Sequence, residues 1–238
     1  MSTSTAAVAR SASPYTTPQF WERFWRLGGI QFLGLLIVAY LAYGTQPHVG
    51  AAADTVAAFY QADRTRILIA SVLGGLALLN LMWFAAALRT ALADAGQDGW
   101  GAAATTSSAA LGGLFLLLVA VSAALACSSE GSASAALLPG LNNFLWAGFV
   151  MSSFPRAMLI MSAAFGLWRA KAISNAMFGI GVGAVVLVLL SGTTWMSAGF
   201  WAPDGAYSRF ISPAIGLLWL MVVSRVLLTR SPAARTAW

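Results

Sequence analysis

Long apolar stretches alternate with short polar ones along the chain, and this pattern predicts helices that cross a membrane. A helix rises about 1.5 Å per residue and needs about 20 apolar residues to cross a hydrocarbon core of about 30 Å. Six stretches meet or approach this length, at residues 27–44, 67–88, 109–127, 136–169, 176–197 and 210–228. We therefore predict an all-α fold, an integral membrane bundle of six transmembrane helices.

The remaining polar stretches are predicted to be tails and connections. Residues 1–20 are rich in Ser, Thr, Ala and Pro and lack an early apolar run, which is typical of a disordered N-terminal tail. Residues 21–230 form the predicted six-span domain, and residues 231–238 form a short basic tail. Between spans, we predict a short amphipathic helix at 54–61 and a connection at the Gly-, Ala- and Thr-rich residues 96–108.

The fourth apolar stretch is too long for one simple span. A continuous helix over residues 136–169 would measure about 50 Å, and it contains Pro155, which has no N–H and clashes with the preceding turn. Ser152 and Ser153 stand where they could satisfy or cap the freed backbone groups. We predict a helix kinked or broken near Pro155, either one long helix or an interfacial helix followed by a short span.

Composition supports the membrane assignment, and charge indicates an orientation. The chain is 59% hydrophobic and 8% charged, whereas soluble domains carry about 25% charged residues. Placing both termini in the cytoplasm puts nine basic side chains inside and three outside, in agreement with the positive-inside rule. Although the net charge is +6, no basic patch interleaves with exposed aromatic residues. Membrane lipids are therefore the predicted partners of these charges, and nucleic acid is not.

Several classes of function need residue types that this sequence lacks or does not place within its predicted spans. Because His48 and Cys127 are single residues of their kinds, we predict no metal site and no cofactor. No predicted span contains Asp, Glu or Lys, so coupled ion transport and a retinal Schiff base lack their usual groups. The sequence also lacks the parts of an intramembrane serine or aspartyl protease. It therefore assigns no reaction.

Arg156 is the strongest candidate for a functional residue. A guanidinium at bilayer depth is costly, so it usually faces the protein interior or a polar cavity. Its partner would be a carbonyl freed at the helix break, Asp63 or an anionic ligand, and helix tethering is the alternative to ligand contact. The candidate ligand-binding residues are Arg156, Ser152, Ser153, Asn80, Asp63, Tyr60 and Trp146.

Each of the other candidates has a structural reading beside the functional one. Asp63 is placed to cap the second span, and Asn80 to make an interhelical hydrogen bond. If instead Asp63 and Arg156 form one polar cluster, Tyr60 and Trp146 would wall an outward-facing pocket beside it.

Small residues predict where helices approach each other closely. Gly179 and Gly183 form a G-x-x-x-G pair, the spacing that lets two membrane helices pack backbone to backbone. We predict that this pair marks a helix contact, together with the glycine doublets at 74–75 and 112–113.

Three stretches together carry a family resemblance. They are residues 59–68 entering the second span, residues 152–156 in the fourth, and residues 219–228 ending the sixth. With them, residues 25–230 resemble a family of small bacterial multi-pass membrane proteins classed as a domain of unknown function. The resemblance implies a six-span bundle in the bacterial inner membrane, and it implies no reaction, substrate or catalytic residue.

Two main classes of function follow from the sequence. The first is a non-enzymatic membrane protein that binds a lipophilic small molecule or a partner membrane protein, with Arg156 at its polar focus. The alternative is a membrane-embedded enzyme acting on a lipid or isoprenoid, with Asp63 as general acid near Arg156. A small transporter is disfavoured, because the spans hold no acidic residue.

Overall fold

The computed structural model describes residues 27–128 and 137–229, and within these ranges the chain is helical and contains no strand. The predicted tails at 1–20 and 231–238 lie outside the described residues. Besides its α-helices, this part of the chain has a 3-10 turn at Ser191–Thr193 and a π-helical turn at Tyr207–Ile211. The helices are α1 (Gly28–Tyr43), α2 (Ala53–Ala62), α3 (Arg64–Asp94), α4 (Asp98–Ser128), α5 (Leu138–Met151), α6 (Ser153–Arg169), α7 (Asn175–Leu190) and α8 (Ser212–Thr229).

Five helical segments are long and apolar enough to cross a membrane: α3, α4, α5 with α6, α7 with its 3-10 turn, and α8 with its π turn. The described part of α1 is a shorter apolar helix of 16 residues. Large apolar side chains point outward, with Leu41 70%, Val72 65% and Ile180 62% exposed. Apolar surface of this extent fits lipid and not water. The predicted membrane bundle is confirmed, with five full-length spans and one shorter apolar helix.

The helices form a closed ring. α1 packs along α3, α3 along α4, α4 along α6 and α6 along α7, while α8 contacts both α7 and α1. We call the end that carries Gly28 and Thr229 the terminal end. The opposite end, which carries the 44–52 connection and α2, is the loop end.

Two apolar cores stabilise the ring. The larger fills the terminal half and the centre, where Leu81, Phe84 and Leu88 of α3 are fully buried. Phe115 of α4 packs against both cores. The smaller core, under the loop end, includes Val56, Tyr60, Ile67, Leu118, Leu125 and Leu145.

The fourth span is broken, as predicted. α5 ends at Met151 and α6 begins at Ser153, so the interruption lies one turn before Pro155. Proline has no N–H to donate to the carbonyl four residues earlier, that of Met151, and this loss weakens the helix there. The two pieces together still form one apolar segment, and α5 makes few contacts with α1 or α3.

The predicted connection at residues 96–108 is wrong, and the predicted short helix at 54–61 is confirmed as α2. The chain turns at residues 95–97, with Gly96 at φ +70°, and α4 begins at Asp98. Threonine hydroxyls at 105 and 106 donate to carbonyls one turn earlier in α4, so these polar residues are satisfied inside the helix. A carboxylate in the first turn also favours helix initiation through the helix dipole.

The predicted glycine contacts are confirmed in part and corrected in part. Gly179 and Gly183 face open space, and so do the second glycines of both doublets, whereas Gly74 and Gly112 contact side chains of neighbouring helices. Gly181 provides the close approach on α7. A Cβ atom added there would lie 2.8 Å from the Trp219 ring and 2.9 Å from Cβ of Ala164. The face of α7 that packs in the bundle is therefore the one that carries Gly181, and not the face that carries Gly179 and Gly183.

Candidate ligand-binding cavity at the loop end

A cavity of about 210 Å³ lies inside the loop-end half of the ring. It lies between α1, α3, α4 and α5, where α5 makes few contacts with α1 and α3. We call it the apolar cavity, and its main lining residues are Leu36 and Tyr40 of α1, Gly74 of α3, Phe115 of α4, and Trp146 and Phe149 of α5.

Aromatic rings hold the α5 wall of the apolar cavity in place. Phe149 packs edge-on against Trp146 and Phe115, with ring centres 6.4 Å and 6.3 Å apart. Edge-to-face contacts of this kind contribute about 1 kcal/mol each beyond simple burial. The aromatic side chains of this wall therefore support one another.

A second, polar cavity of about 390 Å³ lies at the loop end. Its lining includes His48, Thr55 and Asp204. It shares Gln46, Trp146 and Arg209 with the apolar cavity, so these three residues form the boundary between the two. The arrangement is a polar chamber stacked on an apolar one.

The 44–52 connection covers the polar cavity and is fastened to α5. Trp146 donates its indole N–H to the Pro47 carbonyl at 2.8 Å. The buried amide of Asn142 donates to the carbonyls of Pro47 and His48 and accepts from Gln46 at 3.2 Å. These bonds hold the connection over the cavity, because each one satisfies a polar group that would otherwise be buried unpaired.

Two further hydrogen bonds fix the tip of this connection. The backbone N–H of Gly50 donates to the Asn143 side chain at 2.9 Å. The backbone N–H of Val49 donates to the Asp204 carboxylate at 3.2 Å, which ties the connection to the segment before α8.

Arg209 is the basic residue at the boundary. It is partly buried, and its Nε–H donates to the Tyr40 hydroxyl at 3.1 Å, which links the π-helical turn before α8 to the neighbouring α1. Its guanidinium carbon lies 6.0 Å from the centre of the Trp146 ring and 5.2 Å from that of Phe210. Among the residues that the structure describes, Arg209 has no ion-pair partner.

A chain of hydroxyl groups supports the wall behind the apolar cavity. Tyr43, which lines the cavity, donates to Ser122 at 3.3 Å, so Tyr60 is the donor in its 3.0 Å contact with Tyr43. Ser122 in turn donates to the Leu118 carbonyl. Tyr60 is fully buried, and this burial raises the pKa of its hydroxyl above the ordinary value. The network is therefore neutral.

Arg156 lies at the helix break and lines neither of these cavities. Its guanidinium donates to the carbonyls of Ser152 and Phe149, at 3.3 Å and 3.5 Å, and lies 5.3 Å from the centre of the Phe149 ring. The Ser152 hydroxyl also donates to the Phe149 carbonyl. Of the alternatives raised from the sequence, these contacts favour tethering of the broken helix, with the ring of Phe149 between Arg156 and the apolar cavity.

The remaining predicted site residues do not gather around Arg156. Asp63 forms an ion pair with Arg66 at 2.6 Å, so the hypothetical Asp63–Arg156 contact is not formed. Asn80 donates to the Leu76 carbonyl within its own helix. The buried hydroxyl of Ser153 has no hydrogen-bond partner in the described ranges. Trp146 does line both cavities, and Tyr60 supports the wall from behind.

Sequence reasoning missed most of the residues at the boundary. Arg209 follows Tyr207 in an aromatic cluster and was predicted only as an outer charge. Two spacings could have indicated shared helix faces. Tyr40 and Tyr43 lie on one face of α1 at i, i+3, and Asn142 and Trp146 lie on one face of α5 at i, i+4.

The chain matches no protein-family model, no curated protein and no solved structure. The resemblance to a bacterial family of unknown function therefore stays a prediction. In the described residues no three His, Cys, Asp or Glu side chains converge. What can be inferred about function comes from the two stacked cavities.

Proposed function

We propose that the protein binds a lipophilic small molecule in the apolar cavity. The observation that carries this proposal is the cavity itself, about 210 Å³ between helices that are otherwise closely packed. Its lining is apolar and largely aromatic, the chemistry that ligand sites use for most of their surface. The few polar groups converge at one end, where they can orient a bound molecule.

The energy of an empty cavity supports occupancy. Apolar atoms that line unfilled space lack packing partners, which a bound apolar molecule would supply. Phe115 packs against both apolar cores and also lines the apolar cavity, which its side chain does not fill. A hydrocarbon guest would recover this packing energy.

We also propose a position in the membrane of a bacterial cell. The described basic residues at the terminal end are Arg89, Arg169, Lys171 and Arg225, against Arg64, Arg66 and Arg209 at the loop end. Together with the basic residues of both tails, this excess supports cytoplasmic termini in the inner membrane. The polar cavity would then face the periplasm.

Copurified molecules provide the test. Native mass spectrometry of the detergent-purified protein is expected to show a bound hydrophobic molecule. Ala70→Leu adds three carbon atoms to the cavity wall and is expected to reduce occupancy at least tenfold. Ala86→Leu, the same change at an exposed position of α3, is the matched control and should keep full occupancy. Wild-type protein without any bound molecule, or equal occupancy in both variants, would contradict the proposal.

A further inference from the structure

At the boundary between the cavities, Arg209 has N–H donors that make no hydrogen bond with the described residues. A guanidinium has five N–H donors. The Nε–H of Arg209 is bonded to Tyr40, and the other four donors have no partner among the described residues. Trp146 and Phe210 lie against the face of the guanidinium and leave its edge open. Carboxylates and phosphates are the groups that pair with open guanidinium donors, so an anion is the complementary ligand.

The nearest carboxylate on the cavity lining is Asp204, and it is engaged elsewhere. One of its oxygens accepts from the backbone N–H of Val49, and Asp204 makes no ion pair with Arg209. The other polar groups of the chamber include the amide of Gln46 and the hydroxyl of Thr55, which can donate to an anion. The polar cavity thus holds neutral donors and one open cation together with the Asp204 carboxylate, whose negative charge would repel an anion. The anionic head is therefore assigned to Arg209 at the boundary and not to the Asp204 side of the polar cavity.

Cavity size limits the apolar part of the ligand. Sites for drug-sized molecules usually measure about 300–1,000 Å³, and the apolar cavity is smaller, at about 210 Å³. It suits one hydrocarbon chain better than the two chains of a phospholipid. The aromatic rings of Phe115, Trp146 and Phe149 would pack along that chain.

Resting on the proposed function, we infer that the ligand is a single-chain amphipathic anion. Its alkyl or isoprenyl chain lies in the apolar cavity, and its carboxylate or phosphate head accepts hydrogen bonds from Arg209 at the boundary. Carboxylates and phosphates share the two-oxygen geometry that a guanidinium binds in a fork. Arg209 therefore selects the charge of the head, and the cavity selects the number of chains.

Paired ligands that differ only in the head test this inference. Binding of palmitate, farnesyl phosphate, hexadecanol and farnesol is measured on the purified full chain in nanodiscs by native mass spectrometry. Arg209→Gln is expected to weaken binding of the two anions about 10- to 100-fold, since hydrogen bonds to charged groups are the strong ones. Binding of the two alcohols should change less than twofold.

Two control variants keep the test decisive. Arg64→Gln removes another loop-end charge that lines neither cavity, and it should leave all four affinities unchanged. Arg209→Lys keeps the charge and should recover part of the anion affinity, which separates loss of the head contact from misfolding. The palmitate-to-hexadecanol and farnesyl phosphate-to-farnesol affinity ratios, each at a matched chain, show whether the site prefers a carboxylate or a phosphate head.

The failures of the two proposals are distinguishable. Equal binding of anions and alcohols, unaffected by Arg209→Gln, would overturn the anionic head and leave the lipophilic site standing. Binding of none of the four ligands to wild type, with no effect of Ala70→Leu on copurified molecules, would overturn the proposed function as well.

Discussion

Arg156 and Arg209 show how differently two arginines can be used beside the same wall. Both guanidinium groups lie against aromatic rings of α5, one near Phe149 and one near Trp146. Arg156 donates hydrogen bonds to two backbone carbonyls at the helix break. Arg209 donates one hydrogen bond, to Tyr40, and its side chain lines both cavities. The first therefore holds the fold, and the second is available to a ligand.

The sequence indicated a partner for Arg156 and none for Arg209. Arg156 stood out because it lies within an apolar stretch, and its carbonyl contacts were among the predicted alternatives. Arg209 lies at the end of a span, where a basic residue is ordinary. Its importance depends on Tyr40, which is 169 positions earlier in the chain, and no local pattern links the two.

Loss of the Arg156 side chain is expected to destabilise the fold moderately. Arg156→Ala removes two hydrogen bonds to carbonyls and the contact with the Phe149 ring, but the Ser152 hydroxyl still donates to the Phe149 carbonyl. We expect a loss of about 1–2 kcal/mol in thermal unfolding in detergent. Arg64→Ala, at an exposed loop-end position, should cost less than about 0.5 kcal/mol. Equal stability of the two variants would contradict a tethering role.

At the scale of the helices, the position of a helix break was predictable from the sequence, whereas the side of a helix that packs against its neighbours was not. Pro155 fixed the site of the interruption because a missing N–H acts locally. α7 is apolar on every side, so its sequence does not say which side meets its neighbours. Glycine spacing therefore indicated Gly179 and Gly183, while the contact with Trp219 lies at Gly181. The mistaken connection at 96–108 has a similar origin, because small and hydroxyl residues are read as loop although they fit a helix.

Substitution of two neighbouring glycines tests the packing face of α7. Gly181→Val would push side-chain atoms into the Trp219 ring and Ala164, and overpacking of this kind costs about 1–3 kcal/mol. Gly183→Val meets open space, so its cost should be near zero. Unfolding of both variants in detergent gives the comparison. An equal loss for both would mean that the G-x-x-x-G face is buried in an assembly.

At the scale of the whole molecule, the number of apolar segments was predictable and the cavity was not. Six apolar stretches follow from composition and length alone. The apolar cavity lies between four helices that are distant in sequence, and the cover of the polar cavity depends on Asn142 and Trp146 binding a connection almost 100 positions earlier in the chain. Such long-range contacts are set by tertiary packing, which a single sequence does not display.

Cys127 provides a native probe of orientation. It is exposed near the end of α4, at the loop end, and it is the single cysteine of the chain. If the termini are cytoplasmic, a membrane-impermeant maleimide should label Cys127 from the periplasmic side of spheroplasts. In Cys127→Ser with Ala95→Cys, at the terminal end, labelling should require permeabilisation. The reverse pattern would invert the proposed orientation.

The turn at residues 95–97 has a practical consequence. α3 continues for six residues, about 9 Å, beyond Leu88, the last residue of its uncharged stretch. We therefore expect the turn to stand clear of the lipid tails, and two 31-residue helices lead from it into the bundle. A helical fusion partner spliced into both helices at Gly96 would rotate rigidly with them. The fused domain would project from the detergent micelle and would allow particles of this small protein to be aligned in electron cryomicroscopy.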